Sequence, residues 1–342
     1  MLRSLFAAIL TLAICSSALP AEQAPVLRFE REIKLPGVLG RIDHLSADVA
    51  GQRIFVADLG NGSVEVVAVD RGERVGQISG LKNPQGVVYV PANKTVYVAS
   101  GGDGTVRSYD GRTLKLLKTA DLGDDADNLR YDAQRKLVLA GYGSGAIAQL
   151  GLDLSRRGDL RLPVHPEAFQ ISADDKRLFV NLPLHMSVAA IDLDTGTVNA
   201  TWGHPGTLAN FPMALDSAHG RMFVACRMPA RLLMMDAATG AVMARIATVG
   251  DADDLFYDAA RGNIYVIGGE GFVDVVRVEA GNTLTSVAHM PTATGARTGL
   301  FVPEWNKLLV AAPRRGTSEA RLLVYSVAGS QPVQAPGKTR VR

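Results

Sequence analysis

The sequence predicts an all-β fold, a seven-bladed β-propeller of four-stranded antiparallel blades closed by the N-terminal strand. Three observations predict it: a short aliphatic run recurs seven times, each repeat has the same order of strands and turns, and one strand is left over at the N-terminus. The runs are RIFVAD from Arg53, TVYVAS from Thr95, KLVLAG from Lys136, RLFVNL from Arg177, RMFVAC from Arg221, NIYVIG from Asn263 and KLLVAA from Lys307. They start 41 to 44 residues apart, which is the length of a propeller blade.

Each repeat predicts four strands in a fixed order. A short strand ending in Asp or Pro, such as HLSAD, precedes the aliphatic run, and a Gly-rich turn leads to a third strand such as SVEVVAV. A fourth strand usually follows a turn such as Asp194-Thr195-Gly196. β-Branched segments bounded by Gly, Asn and Asp are typical of antiparallel hairpins. No segment keeps a 3.6-residue apolar period over about ten residues, which excludes a helical solenoid.

The two ends of the chain predict how the ring closes. Beyond residue 328 the sequence GSQPVQAPGKTRVR has two prolines and a polar composition, so the seventh repeat lacks a fourth strand. The segment VLRFEREIKL, Val26 to Leu35, places Leu27, Phe29 and Ile33 on one face and belongs to no repeat. We expect it to supply the missing strand and remove the open sheet edge.

The first 21 residues predict export. They carry Arg3, an apolar run from Leu5 to Ile14 and then small residues, which is the order of a secretory signal and about half the ~20 residues of a spanning helix. We therefore expect residues 1–21 to be a signal peptide, 22–330 a single propeller domain and 331–342 a flexible basic tail. The mature chain is predicted to be periplasmic or secreted, with no membrane span.

Composition limits the partners. The chain has 342 residues, of which 47% are hydrophobic and 20% charged, with a formal charge of +2. These values exclude a disordered chain and a polytopic membrane protein. Because the charge is nearly balanced, the chain has no broad positive field that would attract a polyanion, and nucleic acid is not a predicted partner. We also expect a monomer. Cys226, the one cysteine outside the signal, is predicted to be a small buried hydrophobe.

Several strings resemble a known family. RIFVADLGNGSVEVVAV from Arg53, TVYVASGGDGTVRSYD from Thr95, and RLFVNL through DTGTVNATWG from Arg177 resemble the YVTN-repeat, YncE-like bacterial β-propellers. The resemblance covers residues 26 to 329. It implies a seven-bladed propeller that is exported and binds other molecules. It implies no particular reaction, because that family has no single agreed activity.

Polar residues just before each inner strand predict a site at the mouth of the central channel. They are Asp43, His44, Gln85, Asp127, Asn128, Glu167, Asn210, Asp253, Asp254 and Arg297. His44, Asn128 and Asp254 are separated by multiples of 42 residues, so they occupy equivalent positions in blades 1, 3 and 6. Groups far apart in the chain are thereby expected to converge on one axis and to bind a small molecule, an ion or a protein.

The carboxylates at this mouth suggest a cation. Crowded carboxylates repel one another unless they are protonated, hydrogen-bonded or neutralised. Ca²⁺ or another divalent cation would neutralise them. This pattern is similar to the site chemistry of the gluconolactonase and paraoxonase class of propellers. That similarity implies Asn128, Glu167 and Asp254 as metal ligands and His44 as a general base. The YVTN-type repeats and the Asp43-His44 pair in blade 1 depart from that class.

Three other interpretations stay open beside an exported, non-enzymatic binding protein. The mouth carboxylates could accept hydrogen bonds from backbone N–H groups and only pin blade to blade. The same groups could form a metal-dependent hydrolase or lactonase. The loop rim, including Met228 and Phe272, could instead be a platform for protein interactions. Metal content, turnover of lactones and esters, and loop substitutions distinguish these alternatives.

Overall fold

A computed structural model describes residues 25–328, and over this range the predicted seven-bladed propeller is confirmed. Seven four-stranded antiparallel sheets contain all 28 described strands. The described residues otherwise contain four short 3-10 helices, at Leu59–Asn61, Pro183–His185, Ser217–His219 and Pro303–Trp305. None of their helices is long and apolar enough to span a membrane. The predicted signal peptide and the basic tail lie outside the described residues.

Strand β1 (Leu27–Lys34) comes first, and each blade then follows in chain order. Blade 1 comprises β2 (Leu45–Asp48), β3 (Arg53–Asp58), β4 (Ser63–Ala68) and β5 (Glu73–Ser79). Blade 2 comprises β6 (Pro84–Val90), β7 (Thr95–Ser100), β8 (Thr105–Asp110) and β9 (Leu116–Asp121). Blade 3 comprises β10 (Leu129–Asp132), β11 (Leu137–Tyr142), β12 (Ala146–Gly151) and β13 (Arg156–Arg161). Blade 4 comprises β14 (Phe169–Ile171), β15 (Arg177–Leu182), β16 (Ser187–Asp192) and β17 (Val198–Gly203).

The remaining blades complete the ring. Blade 5 comprises β18 (Leu208–Asp216), β19 (Arg221–Met228), β20 (Ala230–Asp236) and β21 (Val242–Ala247). Blade 6 comprises β22 (Ala252–Asp258), β23 (Asn263–Gly268), β24 (Phe272–Glu279) and β25 (Thr283–Pro291). Blade 7 comprises β26 (Thr298–Val302), β27 (Lys307–Ala312), β28 (Arg321–Val327) and β1. The first strand of each blade contacts the first strands of its neighbours, so these seven strands surround the channel.

Blade 7 is completed as the sequence predicts. Strand β1 pairs antiparallel with β28, from Leu27 opposite Val327 to Lys34 opposite Arg321. Leu27 and Ile33 are each 1% exposed, so one face of β1 enters the core. Phe29, predicted on that face, is instead 51% exposed, because the register of β1 shifts between Phe29 and Arg31. Burying an aliphatic side chain of this size contributes about 1.5–3 kcal/mol. The ring is therefore held by hydrophobic packing as well as by the backbone ladder.

The core lies between the middle strands of neighbouring blades. Phe55 and Tyr97, on the second strands of blades 1 and 2, are completely buried, as is Phe223 in blade 5. The fourth strands are largely exposed, as β5 shows. Cys226 is 1% exposed and packs in this core, which confirms the prediction of a buried, hydrophobe-like cysteine.

Candidate functional site

A cavity of about 160 Å³, the mouth cavity, lies where the inner strands begin. Six of its lining residues belong to the predicted set, namely Asp43, His44, Gln85, Asp127, Glu167 and Asp253. Five further residues that line it were not predicted, namely Arg41, Asp125, His165, Phe211 and Arg227. The repeat therefore brings together side chains from six blades, and most of them carry charge.

Backbone hydrogen bonds place three of these carboxylates at equivalent points. The Asp43 N–H donates to Ala57 O at 2.7 Å, and the Asp127 N–H donates to Gly141 O at 2.9 Å. The Glu167 N–H donates to Asn181 O at 3.0 Å. In each case the residue lies two positions before its inner strand and bonds to the second strand of its own blade. The local sheet geometry thus aims all three side chains at the channel axis.

Asp127, His165 and Glu167 form the tightest group of potential metal ligands. One ligand atom from each lies within 4.8 Å of the other two. The His165 Nδ1–H donates to Gly143 O at 2.6 Å, which leaves Nε2 directed at Asp127, 3.7 Å from its Oδ2. A histidine whose second nitrogen is fixed by a backbone carbonyl has the orientation typical of metal-binding imidazoles. These three residues therefore have the chemistry and spacing of a partial coordination shell.

Two arginines neutralise part of the mouth cavity. Arg227 contacts Asp253, with 2.5 Å between Nη2 and Oδ1, and its guanidinium lies 3.7 Å from the ring centre of Phe211. Arg41 donates to Asp43 at 2.8 Å and lies 3.6 Å from Asp253 Oδ2. That Oδ2 atom is buried and accepts no hydrogen bond from residues 25–328. Asp253 therefore keeps one oxygen that only a longer-range charge stabilises.

The crowded carboxyl groups hold protons. Burial raises the pKa of Asp43 to about 7, with Asp253 and Asp127 adding to the effect. Burial also raises the pKa of Glu167 to about 8, together with the charges of Asp127 and Asp253. Burial alone would lower the pKa of His165, but its contacts with Asp127 and the Gly143 carbonyl raise it to about 9. At neutral pH the mouth cavity therefore contains protonated side chains, and a bound cation would displace their protons.

His44 connects the mouth cavity to the next section of the channel. Its Nδ1 lies 3.2 Å from Asp254 Oδ1, and its Nε2 lies 3.6 Å from Asp43 Oδ1. Burial lowers the pKa of His44, but the charge and hydrogen bond of Asp254 outweigh it and raise the pKa to about 10. An imidazolium has no lone pair with which to accept a proton. At neutral pH His44 is therefore a proton donor, whereas the predicted general base would require its neutral form.

The set Asn128, Glu167 and Asp254, which the sequence predicted as metal ligands, is not gathered in one place. Only Glu167 lines the mouth cavity. Asp254 lies deeper in the channel, where one oxygen faces His44 and the other accepts from the Gly299 N–H at 2.9 Å. Asn128 is 2% exposed, and its Oδ1 accepts no hydrogen bond from the described part of the chain. The reason is that Asn128 and Asp254 each follow by one residue the mouth positions of their blades, Asp127 and Asp253.

Two more predicted residues lie outside the mouth cavity. Asn210 is fully buried and donates to Asn181 Oδ1 at 3.0 Å and to Ser187 O at 2.9 Å, so it joins blade 5 to blade 4. Arg297 lies in an adjacent surface groove, where its Nη2 is 2.8 Å from Asp251 Oδ2. Asn210 thus joins two neighbouring blades, which is the role that one of the interpretations above gave to the mouth carboxylates.

A pattern in the sequence could have found the missing residues. A charged residue stands two positions before a mouth carboxylate in four blades: Arg41-Ile42-Asp43, Asp125-Ala126-Asp127, His165-Pro166-Glu167 and Asp251-Ala252-Asp253. Alternate residues of an extended segment point to the same side. Three of these additional residues, Arg41, Asp125 and His165, line the same cavity as their partners.

The comparisons with known proteins concern the fold. No known family and no curated protein matches the chain. A chain in the crystal structure of the mitotic checkpoint complex matches with a TM-score of 0.76 and 17% identity, covering 94% of this chain and 99% of that one. A chain in Kuenenia stuttgartiensis hydrazine synthase matches with a TM-score of 0.73 and 15% identity, covering 86% and 96%. At these identities the likeness establishes a seven-bladed propeller fold alone, and membership of the YVTN-repeat family stays an expectation.

Proposed function

We propose that this chain is an exported β-propeller that binds a divalent metal ion at its mouth cavity, as a binding protein rather than an enzyme. The observation that carries the proposal is the convergence of Asp127, His165 and Glu167, whose ligand atoms lie within 4.8 Å of one another. The first 21 residues, with their apolar run, support the export part of the proposal.

The donor types favour one class of metal. Imidazole suits Zn²⁺ and other transition metals, whereas Ca²⁺ takes six to eight oxygen ligands. Two carboxylates and one imidazole therefore fit Zn²⁺ or Mn²⁺ better than the Ca²⁺ that the sequence suggested. Three protein ligands also leave coordination positions open. A cavity of about 160 Å³ has room for waters or a small molecule at those positions.

With its carboxyl groups ionised, the mouth cavity has five negative charges against the positive charges of Arg41, Arg227 and His44, so its balance favours a cation. Asp43, Asp125 and Asp253 line the same cavity as the three ligands. Metal binding must remove the protons of His165 and Glu167, because a metal ligand needs a free lone pair. Their raised pKa values imply that binding releases protons and becomes tighter as the pH rises from about 6 to about 9.

Titration calorimetry on chelator-treated protein tests the proposal, with Zn²⁺, Mn²⁺ and Ca²⁺ as probes. We expect one saturable site, with Zn²⁺ or Mn²⁺ bound at least about tenfold more tightly than Ca²⁺. His165→Gln should weaken the transition-metal site by about 100-fold, because it removes the imidazole ligand. His185→Gln is the matched control, since His185 bonds Ser187 in a loop of blade 4. An absence of saturable binding, or equal affinity in the two variants, would contradict the proposal.

A metal-dependent hydrolase is the second candidate. The observation that favours it is a proton donor beside the proposed metal, because His44 is an imidazolium that lines the same cavity. A panel of lactones and esters with metal-loaded protein tests it. We expect His44→Gln to abolish any turnover while leaving metal affinity within about threefold. If turnover persists in His44→Gln, His44 takes no part in the reaction. If no lactone or ester of the panel is turned over, only the binding function is supported.

A platform for protein partners is the third candidate, because propellers commonly serve protein interactions. Exposed apolar residues cluster on the rim of blades 4 and 5, on the same face as the mouth cavity: Leu184 (79% exposed), Met186 (49%), Leu208 (42%) and Met228 (57%). Such a patch marks an interaction surface more often than scattered apolar residues do. Replacing Leu184 and Met228 by Ser should abolish partner capture from an extract and leave metal affinity intact. If the double variant still captures the partner, the rim of blades 4 and 5 is not the surface that binds it.

A further inference from the structure

A second cavity, the central chamber, lies deeper in the channel than the mouth cavity. It has a volume of about 140 Å³ and shares His44 with the mouth cavity. Its charged lining residues are His44, Arg130 and Asp254. Its apolar lining comes from Leu45, Val87, Leu129, Phe256 and Leu300. The chamber thus combines one arginine with a wall that is partly apolar and partly polar, and Gln170 belongs to the polar part.

Arg130, on strand β10, has no carboxylate partner. Its Nη1 donates to Leu129 O at 2.8 Å, and its guanidinium lies 5.6 Å from the ring centre of Phe169. No carboxylate oxygen in residues 25–328 lies within 4.0 Å of it. Burial lowers the pKa of Arg130, although an arginine stays charged, and Asp254 offsets that effect only in part. A guanidinium removed from bulk water without an anion is energetically unfavourable.

The one acidic residue of the chamber is already engaged. Asp254 Oδ1 lies 3.2 Å from His44 Nδ1, and Asp254 Oδ2 accepts from the Gly299 N–H. The chamber therefore offers Arg130 no free carboxylate, and an anionic ligand would supply one.

We propose that the central chamber binds a small aliphatic monocarboxylate through Arg130. The Nε and Nη2 atoms of Arg130 make no hydrogen bond with other described residues, and two adjacent guanidinium N–H groups match the two oxygens of a carboxylate. The leucine and valine side chains would contact the short alkyl group. A chamber of about 140 Å³ suits an anion of about two to four carbons, given ~30 Å³ for each water it replaces.

A route that avoids the mouth cavity would start from the other side. Arg130, Leu45, Val87, Leu129 and Leu300 also line a third cavity of about 240 Å³, which extends to Glu304 and contains no residue of the mouth cavity. The chamber therefore shares part of its wall with a cavity beyond the far ends of the inner strands. The proposal does not rest on metal binding at the mouth.

Titration calorimetry with sodium propionate, at constant ionic strength, tests the proposal on the whole mature chain. We expect saturable binding that is at least about tenfold weaker in Arg130→Met. Arg177→Met is the matched control, because Arg177 lies 5.2 Å from the Phe179 ring centre and donates to Ala237 O, but lines a groove outside the channel. Arg177→Met and His165→Gln should bind propionate as the wild type does, and the latter separates this site from the metal site.

Three results would overturn the proposal. They are no saturable propionate binding by the wild type, equal affinity in Arg130→Met and Arg177→Met, and sodium chloride bound as tightly as propionate. Equal chloride affinity would mean a simple halide site without a place for the alkyl group. If Arg130→Met does not fold, Arg130→Lys keeps the charge but loses the paired N–H groups. We then expect Arg130→Lys to reduce propionate affinity, and an unchanged affinity would contradict the proposal.

Discussion

The two ends of the inner strands both carry aspartates, but their surroundings differ. At the end away from the mouth, Asp48 accepts hydrogen bonds from the Gly51 N–H and from Arg53, both in its own turn. Asp258 accepts from Arg261 and from the Tyr265 hydroxyl in the same way. At the mouth end, Arg41 pairs with Asp43 within blade 1, but charged partners of other carboxylates come from other blades, as the pairs His165 with Asp127 and His44 with Asp254 illustrate.

This difference distinguishes carboxylates that stabilise the fold from carboxylates that are available to a ligand. A carboxylate with partners in its own blade is satisfied as soon as that hairpin forms, and much of its acceptor capacity is then used within the blade. The mouth carboxylates are incompletely satisfied even in the closed ring, because Asp253 keeps an oxygen without a hydrogen bond and Glu167 keeps a proton. The same residue type therefore stabilises the blade at one end and can bind a cation at the other.

The strongest test of this comparison is Asp258→Ala, at the end away from the mouth. Asp258 is 2% exposed, and its removal takes away an acceptor that Arg261 Nη1 and the Tyr265 hydroxyl share, although Arg261 Nη2 still donates to Asn306 Oδ1. We expect the free energy of unfolding to fall by about 3–5 kcal/mol, the usual cost of breaking a buried ion pair. Urea unfolding followed by circular dichroism measures it, with exposed Asp70→Ala as the control. A loss as small as that of the control would break the comparison.

A smaller, pH-dependent effect is expected for Asp43→Asn at the mouth. The pKa of Asp43 is raised to about 7 from an ordinary 3.8, so the folded state binds more protons than the unfolded state between these values. Stability from this group is present at low pH and is lost as the pH rises toward 7. We expect Asp43→Asn to gain about 2–4 kcal/mol relative to wild type between pH 4 and pH 8.

Urea unfolding of both proteins across this pH range measures that gain. Asp48→Asn is the control, since Asp48 is bonded to Arg53 within its own turn and should not gain stability with rising pH. A constant difference between Asp43→Asn and wild type would mean that the mouth carboxyl is as well satisfied as those at the other end.

The smallest expected effect concerns Arg41, whose side chain is 45% exposed beside the mouth cavity. Arg41→Gln removes a positive charge that a bound cation would repel, so transition-metal affinity should rise by about three- to tenfold, or about 1 kcal/mol after solvent screening. Calorimetry measures this change, with Arg112→Gln, on an exposed turn of blade 2, as the control. Weaker metal binding in Arg41→Gln would show that Arg41 positions the site instead of opposing the cation.

The fold and the mouth positions were predictable because both follow the repeat. Seven aliphatic runs predicted seven blades, and the segment around Phe29, which belongs to no repeat, predicted the closing strand. The error at Asn210 concerns the period. Phe211, 84 residues after Asp127 and 42 before Asp253, occupies the mouth position of blade 5 and lines the cavity. His165 lies two positions before Glu167, so this spacing could have indicated it, but its contact with the Gly143 carbonyl of blade 3, which fixes the ring, is not visible in the sequence.

The pairing of β1 with β28 has a consequence for biosynthesis. The two strands are almost 300 residues apart, so a ribosome must finish nearly the whole propeller before the last blade can form. A nascent chain therefore lacks a closed channel until residue 327 has been added. The metal and carboxylate sites that we propose would become complete only at that late stage of synthesis.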